Sequence, residues 1–132
     1  MLLLDTHVLL WMVFGNERFG AGARRAADEA VAAGNAAASA ISFWEIAMLV
    51  AKRRLQIPWA AEALRRYLLD HSLNEIPVDG EIALRAGFLT DLHGDPADRI
   101  IVATALGGHR LVTADRRLLD WPGNIQRLRA TR

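Results

Sequence analysis

Four carboxylates in this chain stand where a predicted strand gives way to a helix. They are Asp5 after an apolar leucine run, Glu45 within SFWEI, Asp98 within DPADR, and Asp115 after LVTA. Open α/β sheets build their ligand sites at the carboxyl ends of parallel strands, so these four side chains are expected to meet there. Converging carboxylates need a cation, and their oxygens are hard ligands. The pattern therefore predicts a metal-dependent enzyme.

Each of these acids also has a purely structural interpretation. Asp5 and Asp115 could cap the helices that follow them. Glu45 fits the last position of a capping box, and Asp98 lies three residues after a cap at Asp95, where the helix dipole favours a negative charge. Any one acid is weak support for a site, but four at strand-to-helix junctions make coincidence the poorer explanation.

Length and composition favour one domain over residues 1–132, because a chain of this size with 52% hydrophobic residues can bury a substantial core. Cysteine is absent, which excludes disulfides and thiolate zinc sites and makes the cytoplasm the expected compartment. The apolar opening lacks a basic segment, carries Asp5 and His7, and is shorter than a membrane span. We expect no membrane association.

The charge pattern gives modest support for nucleic acid as a partner. The net charge is +1, but without the four candidate acids 16 basic residues remain against 11 acidic ones. Only Lys52 is a lysine, and the planar guanidinium of arginine suits phosphate well. A GC-rich genome would explain the same composition equally well, so the basic shell supports nucleic acid only weakly.

Strand and helix patterns alternate along the chain. The predicted strands are the opening leucine run and residues 36–41, 75–78, 110–113 and 124–128. The predicted helices are residues 6–14, 23–33, 42 to about 55, 59–71, 96–106 and 115–119. A further helix begins after its cap Asp79 and ends at residue 89, and Asp95 caps the helix over residues 96–106. The unbroken leucine run is typical of a strand covered on both faces. We therefore predict a three-layer α/β/α sandwich with a short parallel central sheet.

Taken together, LLLDTHVLLW, SAISFWEIA, DPADRIIVATAL and LVTADRRL resemble the successive motifs of the PIN-domain family over nearly the whole chain. Within that family the pattern is most similar to the VapC-like toxins of bacterial toxin-antitoxin pairs. This resemblance implies a PIN-like fold and a magnesium- or manganese-dependent ribonuclease. It also implies an RNA substrate, an antitoxin protein as partner, and a homodimer.

The same resemblance assigns the acidic centre and its supporting groups. The acids would be Asp5, Glu45, Asp98 and Asp115, the supporting hydroxyls those of Thr113 and Ser42, and a further, often acidic position that of Asp95. We expect Asp5 and Asp98 to be the principal metal ligands. Glu45 and Asp115 would bind the ion through water or position the attacking water.

Phosphodiester hydrolysis explains why such a site would need a cation. A weak nucleophile must attack an anionic phosphorus, and an alkoxide must leave. Magnesium or manganese on carboxylate oxygens can activate water and neutralise the leaving oxygen. Crowded acids without a metal would repel one another and some would hold protons, so metal binding should weaken as the pH falls.

Four neighbouring basic residues have two interpretations. His7 and His93 lie near the acids in sequence but form no ligand-spaced pair, so a surface or capping role is favoured for both over contact with the substrate or with the surroundings of the metal. Arg99 and Arg116 each directly follow a site acid. We favour their pairing with neighbouring carboxylates over orientation of the acids or contact with RNA phosphates.

A stripe of apolar and aromatic residues raises the question of a protein partner. Its members are Phe43, Trp44, Met48, Leu49, Leu55 and Trp59. Such a stripe at helical spacing is usually core. The resemblance, however, implies a groove near these helices where an antitoxin segment docks, so we expect part of the stripe to stay exposed.

Other functions fit the sequence less well. A haloacid-dehalogenase-like phosphatase expects a second aspartate where this chain has His7, and a receiver-like module expects a late lysine, whereas the only lysine is Lys52. The stronger alternative is a PIN-like RNA-binding or regulatory protein without a toxin role. Loss of catalysis in Asp5→Asn or Asp98→Asn, with fold and binding retained, would separate these readings.

Overall fold

A computed structural model describes residues 1–132 of the chain. Its strands are β1 (Leu2–Leu4), β2 (Ala36–Ser39), β3 (Asn74–Ile76), β4 (Arg110–Thr113) and β5 (Gln126–Arg129). Its helices are α1 (Thr6–Phe14), α2 (Ala21–Ala32), α3 (Ala40–Ala51), α4 (Ala61–Asp70), α5 (Gly80–Phe88), α6 (Pro96–Ala105) and α7 (Arg116–Leu119). None of these helices is long and apolar enough to cross a membrane.

The five strands form one parallel sheet in the order β3-β2-β1-β4-β5. β1 lies in the middle, with Leu3 opposite Ala37 on one side and opposite Leu111 on the other. The chain leaves β1 toward β2 and later returns to the other side of β1 as β4. This reversal of strand order opens a crevice at the carboxyl ends of β1 and β4, where ligands of such sheets bind.

Helices cover both faces of the sheet, which confirms the predicted three-layer arrangement. Alternate strand residues point to opposite faces. Leu4 and Val112 pack with α1, α2 and α4 in one apolar cluster, whereas Leu3 and Leu111 pack with α6 in the other. All four of these side chains are fully buried, so the central strands are apolar without alternation.

The start of α3 differs from the sequence prediction. The helix begins at Ala40, and its cap is Ser39, whose hydroxyl accepts a hydrogen bond from the Ile41 N–H at 3.2 Å. The predicted capping box from Ser42 to Glu45 is therefore wrong. Ser39 offers a capping hydroxyl three residues earlier, at the end of β2, so strand and helix follow each other without a loop. Ser42 lies inside the first turn and faces the core.

Most other boundaries shift by only a few residues. α2 begins at Ala21, two residues before the predicted start, and α3 ends at Ala51 rather than near residue 55. A left-handed backbone at Arg53 (φ 58°) is incompatible with its continuation. The aspartates predicted as caps of α5, α6 and α7 do cap them, each accepting a backbone N–H: Asp79, Asp95 and Asp115.

Arg99 has a role that neither sequence interpretation anticipated. Its guanidinium donates hydrogen bonds of 2.8–3.4 Å to five backbone carbonyls: those of Ala86, Gly87, Leu89, Leu92 and His93. Carbonyls at the end of a helix have no partner within it, and a cation suits them. Arg99 thereby fixes the end of α5 and the loop that leads to α6. Arg116, by contrast, pairs with Asp120 at 3.7 Å on the surface.

Candidate functional site

The carboxyl ends of β1 and β4 open into a cleft of about 200 Å³ that is lined mainly by polar residues. The structure brings all four predicted acids together there. Their prediction as strand-end residues is right only for Asp5 and Asp115, because Glu45 lies in the second turn of α3 and Asp98 lies in α6, which follows a helix. The lining residues are Asp5, Thr6, His7, Leu10, Glu45, Leu49, Asp95, Asp98, Asp115 and Arg117. Five carboxylates thus face one arginine, so the cleft is acidic although the chain as a whole is slightly basic.

Asp5 is the most firmly held of the acids. It follows β1 directly and caps α1, with Oδ1 accepting the Thr6 N–H at 2.8 Å. Oδ2 accepts the hydroxyl of Thr113 from the adjacent strand β4 at 2.6 Å. The same Thr113 oxygen accepts the Asp115 N–H at 3.0 Å. Thr113, expected as a supporting group, therefore links the two acids that follow β1 and β4.

Glu45 reaches the cleft from the second turn of α3. Thr6 on α1 donates its hydroxyl to Ser42 Oγ at 2.9 Å, and both side chains are buried. This bond holds α1 against α3 one turn before Glu45. Ser42 thus supports the site by joining two helices rather than by capping one.

Asp98 lies in the first turn of α6, as the sequence predicted. The cap Asp95 accepts the Asp98 N–H at 2.9 Å, which fixes the start of the helix. His93 donates from Nε2 to Asp98 Oδ2 at 2.7 Å. The surface or capping role expected for His93 is therefore wrong, because the loop held by Arg99 delivers this ring to a site acid.

His7 also belongs to the site. Its Nε2 accepts the Ala114 N–H at 3.0 Å, and its ring packs edge-on against Trp11 with centroids 5.0 Å apart. Burial lowers the pKa of His7, and an Nε2 that accepts a hydrogen bond carries no proton. Its Nδ1 lies 3.6 Å from Asp5 Oδ2. His7 therefore joins the segment after β4 to the segment after β1.

The sequence prediction missed Arg117. Its guanidinium contacts Asp115 through Nε at 3.3 Å and Nη2 at 3.0 Å, and Nη2 lies 3.6 Å from Asp98 Oδ2. Arg116, which directly follows Asp115, points away instead. A cap side chain faces the second and third helical residues, so the position two after a capping acid was the available signal.

The charges of the cleft are poorly compensated. Burial raises the pKa of Asp5 from 3.8 to about 6 against the lowering effect of its hydrogen bonds, and Asp115 and Asp95 add repulsion. Burial likewise raises the pKa of Glu45 and of Asp98, again with repulsion from neighbouring acids. Asp115 is the exception: burial opposes its ionisation, but hydrogen bonds and charge from Arg117 outweigh it and lower its pKa. The arrangement favours an added cation.

The side chains as they stand do not form a complete ligand set. No group of three or more His, Asp or Glu side chains is disposed to hold a metal ion directly. Magnesium usually keeps several waters and needs only one or two protein carboxylates, so this spacing and an all-oxygen donor set fit such an ion.

Part of the aromatic stripe is exposed, which confirms that expectation. Trp44 is 50% exposed and Trp59 is also exposed, while the other members are half-buried. A groove of about 600 Å³ runs beside the cleft and shares its His7 and Leu10 walls. We call it the flanking groove; its further lining is Trp11, Phe14, Asn16, Arg18, Leu55, Gln56, Ile57 and Pro58.

Comparison with known proteins identifies relatives of this chain. The family model described as PIN domain matches residues 2–123. Ribonuclease VapC22 of Mycobacterium tuberculosis (strain ATCC 25618 / H37Rv) is 36% identical over 118 residues, which cover 88% of each chain.

Solved structures share the fold. A toxin-antitoxin complex from Klebsiella pneumoniae contains a chain with a TM-score of 0.66, 22% identity and 98% coverage of both chains. DNA-bound VapBC from Salmonella typhimurium gives a TM-score of 0.69, 18% identity and 96% coverage of both. At these identities the two structures support the fold alone, whereas the family model and the closer relative extend over most of the sequence. The chain therefore belongs to the PIN-domain family, among its VapC-like members.

Proposed function

We propose that this protein is a metal-dependent endoribonuclease that hydrolyses RNA phosphodiester bonds and acts as the toxin of a toxin-antitoxin pair. The observation that carries the proposal is the convergence of five carboxylates in one cleft at the β1–β4 crevice. Support also comes from the 36% identity to a protein named Ribonuclease VapC22. The alternative, a PIN-like protein that binds RNA or regulates without cutting, makes no use of so costly a cluster of charges.

The proposed cofactor is Mg²⁺ or Mn²⁺. Asp5 and Asp98 would hold the ion directly, and Glu45 and Asp115 would reach it through water. The raised pKa values of Asp5, Glu45 and Asp98 support this, because acids that repel one another gain most from a bound cation. Carboxylate oxygen is the ligand type that magnesium and manganese prefer.

The chain's own groups would divide the work of hydrolysis. A bound divalent ion would supply Lewis acidity toward a phosphoryl oxygen and lower the pKa of water. Thr6 and Thr113 fix both oxygens of Asp5, so this carboxylate is preorganised. Glu45 reaches the cleft from α3 and would accept a proton from, or orient, the attacking water. His93 orients Asp98.

The proposed protein partner is an antitoxin segment in the flanking groove. Half of the residues that line the groove are hydrophobic, and the groove adjoins the acidic cleft and lies beside the exposed Trp59. Apolar grooves on protein surfaces commonly bind extended or helical peptide segments. A basic side chain at the end of such a segment could enter the acidic cleft and block it.

We further propose that residues 1–132 act as one nuclease domain and form a homodimer in the cytoplasm, where RNA is found. Exposed Leu84 and 81% exposed Phe88 lie one turn apart on α5, and this adjacent apolar pair supports a protein contact there. β5, which lies beyond the family match, completes the same sheet. This supports a single domain.

RNA cleavage is the decisive test of the catalytic proposal. Purified protein should cut a mixed RNA pool with magnesium or manganese and not with EDTA. Asp5→Asn and Asp98→Asn should each lower the rate at least about 100-fold, because they remove charge that holds the cation. Asp70→Asn, an exposed aspartate at the end of α4, is the matched control. Binding of RNA without cutting by folded, metal-loaded protein would favour the alternative.

The pKa of Asp5 predicts how stability depends on pH. The folded carboxyl group has a pKa of about 6 and an ordinary value of 3.8, so folding takes up a proton between these values. The free energy of unfolding of the metal-free protein should therefore fall as the pH rises through this range. Asp5→Asn removes the charge and should be more stable at about pH 7.5 by about 1–3 kcal/mol, with little gain near pH 4.

Urea unfolding in EDTA, and again with magnesium, measures this effect. Magnesium should stabilise the native chain and leave Asp5→Asn unchanged, since the ion binds only the folded acidic site. One cooperative transition is expected for one domain. Equal stabilities of native protein, Asp5→Asn and Asp70→Asn at neutral pH would contradict the charge argument.

Expression in bacteria tests the toxin role and its partner. Induction of the chain should arrest growth, and Asp98→Asn should not. Co-expression of the antitoxin protein should restore growth. Trp59→Ser beside the groove should weaken that rescue while cleavage persists, because the change removes an exposed aromatic ring that packs against Phe14 of the groove and touches no site acid. Growth arrest that persists in Asp98→Asn would argue against a nuclease toxin.

Sedimentation equilibrium tests the dimer. The mass should be that of two chains, and Phe88→Asp should give single chains because it introduces a charge into an apolar contact. Arg66→Asp on the exposed side of α4 serves as the control. A native mass of one chain would contradict the proposal.

A further inference from the structure

Arg117 is the one arginine among the residues that line the acidic cleft, which contains no lysine. Its Nη2 is shared between Asp115 Oδ2 at 3.0 Å and Asp98 Oδ2 at 3.6 Å. The Asp98 oxygen that it approaches is the one that accepts His93 Nε2. A positive charge thus already stands between two acids that the proposed function assigns to a metal ion.

The contact between Arg117 and Asp98 is weak enough to be broken without a change in the fold. The Arg117 backbone N–H is fixed by the cap Asp115, but its side chain is 61% exposed and forms no ring contact or carbonyl bond. Arg99, by comparison, is tied to five carbonyls and cannot move without unravelling a loop. Its contact with Asp98, at 3.6 Å, is an ion pair without a hydrogen bond, so the Arg117 guanidinium can leave Asp98 at small cost while it keeps its bonds to Asp115.

Arg117 by itself compensates only part of the negative charge in the cleft. It offsets the charge of Asp115, but four further carboxylates line the same cleft and Arg117 is its only arginine. A divalent ion between Asp5 and Asp98 would relieve more repulsion than the guanidinium does, and would repel the guanidinium from Asp98. The planar fork so released is the group that best matches a phosphate.

We propose that Arg117 is an internal counter-cation that yields Asp98 to the divalent ion and then contacts an RNA phosphate beside the bond that is cut. The inference rests on the proposed function. Arg117 competes with the metal in the absence of RNA and assists RNA binding once the metal is in place. Its removal should therefore change metal affinity and RNA affinity in opposite directions, which neither a structural role nor a ligand-positioning role predicts.

Manganese binding without RNA tests the first half. Titration calorimetry of the full chain should give a dissociation constant about threefold to tenfold lower for Arg117→Gln than for the native protein. Arg116→Gln removes the same charge from the same helix and should leave the constant unchanged, because Arg116 is 76% exposed and pairs only with Asp120. Arg117→Lys keeps the charge and should stay close to the native value.

The salt dependence of cleavage tests the second half. On a mixed RNA pool with magnesium, Arg117→Gln should lower kcat/KM at least about fivefold, mainly through KM. The slope of log kcat/KM against log salt should become shallower by about 0.7, the loss of one phosphate contact to a single strand. Arg116→Gln should keep the native slope. A shallower slope for Arg116→Gln would mean that Arg116 also contacts phosphate and would contradict the assignment to Arg117 alone.

The outcomes separate this inference from the proposed function. Unchanged or weaker manganese binding in folded Arg117→Gln overturns it even if the native protein cuts RNA. Tighter manganese binding with an unchanged salt slope overturns the transfer to phosphate. If the native chain cuts no RNA yet Arg117→Gln binds manganese more tightly, Arg117 still acts as a counter-cation to the acids, whereas the nuclease proposal fails.

Discussion

The parallel pairing of β1 with β4 is the constraint on which the candidate site depends. Hydrogen bonds from β4 hold β1 in register, and the Asp5 N–H continues the ladder by donating to the Val112 carbonyl at 3.0 Å. The strand ends therefore stop side by side, and Thr113 can place its hydroxyl on Asp5 while accepting from Asp115. A shift of one residue would turn Thr113 to the opposite face and break both contacts.

Around that pairing, neutral polar groups orient the acids without cancelling their charge. Thr113 and Thr6 hold Asp5, the Thr6–Ser42 bond joins two helices, and His7 binds the backbone after β4. Because these partners bring little positive charge, the cleft stays costly to ionise. The same cost makes it receptive to a cation. The crowded acids of the cleft thus lower the stability of the fold. The apolar side chains buried on both faces of the sheet compensate for this loss.

Two arginines, Arg99 and Arg117, have different roles near the cleft. Arg99 joins backbone carbonyls and thereby positions the loop that carries His93, so it shapes the site without entering it. Arg117 enters the cleft on a flexible side chain and contacts its acids directly. Burial and the number of fixed partners account for the difference: a guanidinium with five carbonyl bonds is structural, whereas an exposed one that contacts only carboxylates can change partners. Residue type alone does not distinguish them.

The sequence alone predicts the strand and helix order, the caps at Asp79, Asp95 and Asp115, and the four acids of the cleft, of which only Asp5 and Asp115 follow strands. These features are local, because period, capping chemistry and apolar runs depend on neighbouring residues. The α3 cap was misassigned because Ser39 and Ser42 are equally good locally, and only the end of β2 chooses between them. Thr113 was expected as a supporting group, but its bond to Asp5 depends on the tertiary structure, as do the contacts of His93 and Arg117 with the acids. Strand order and helix rotation bring residues from distant positions within hydrogen-bond distance, and no single segment encodes that distance.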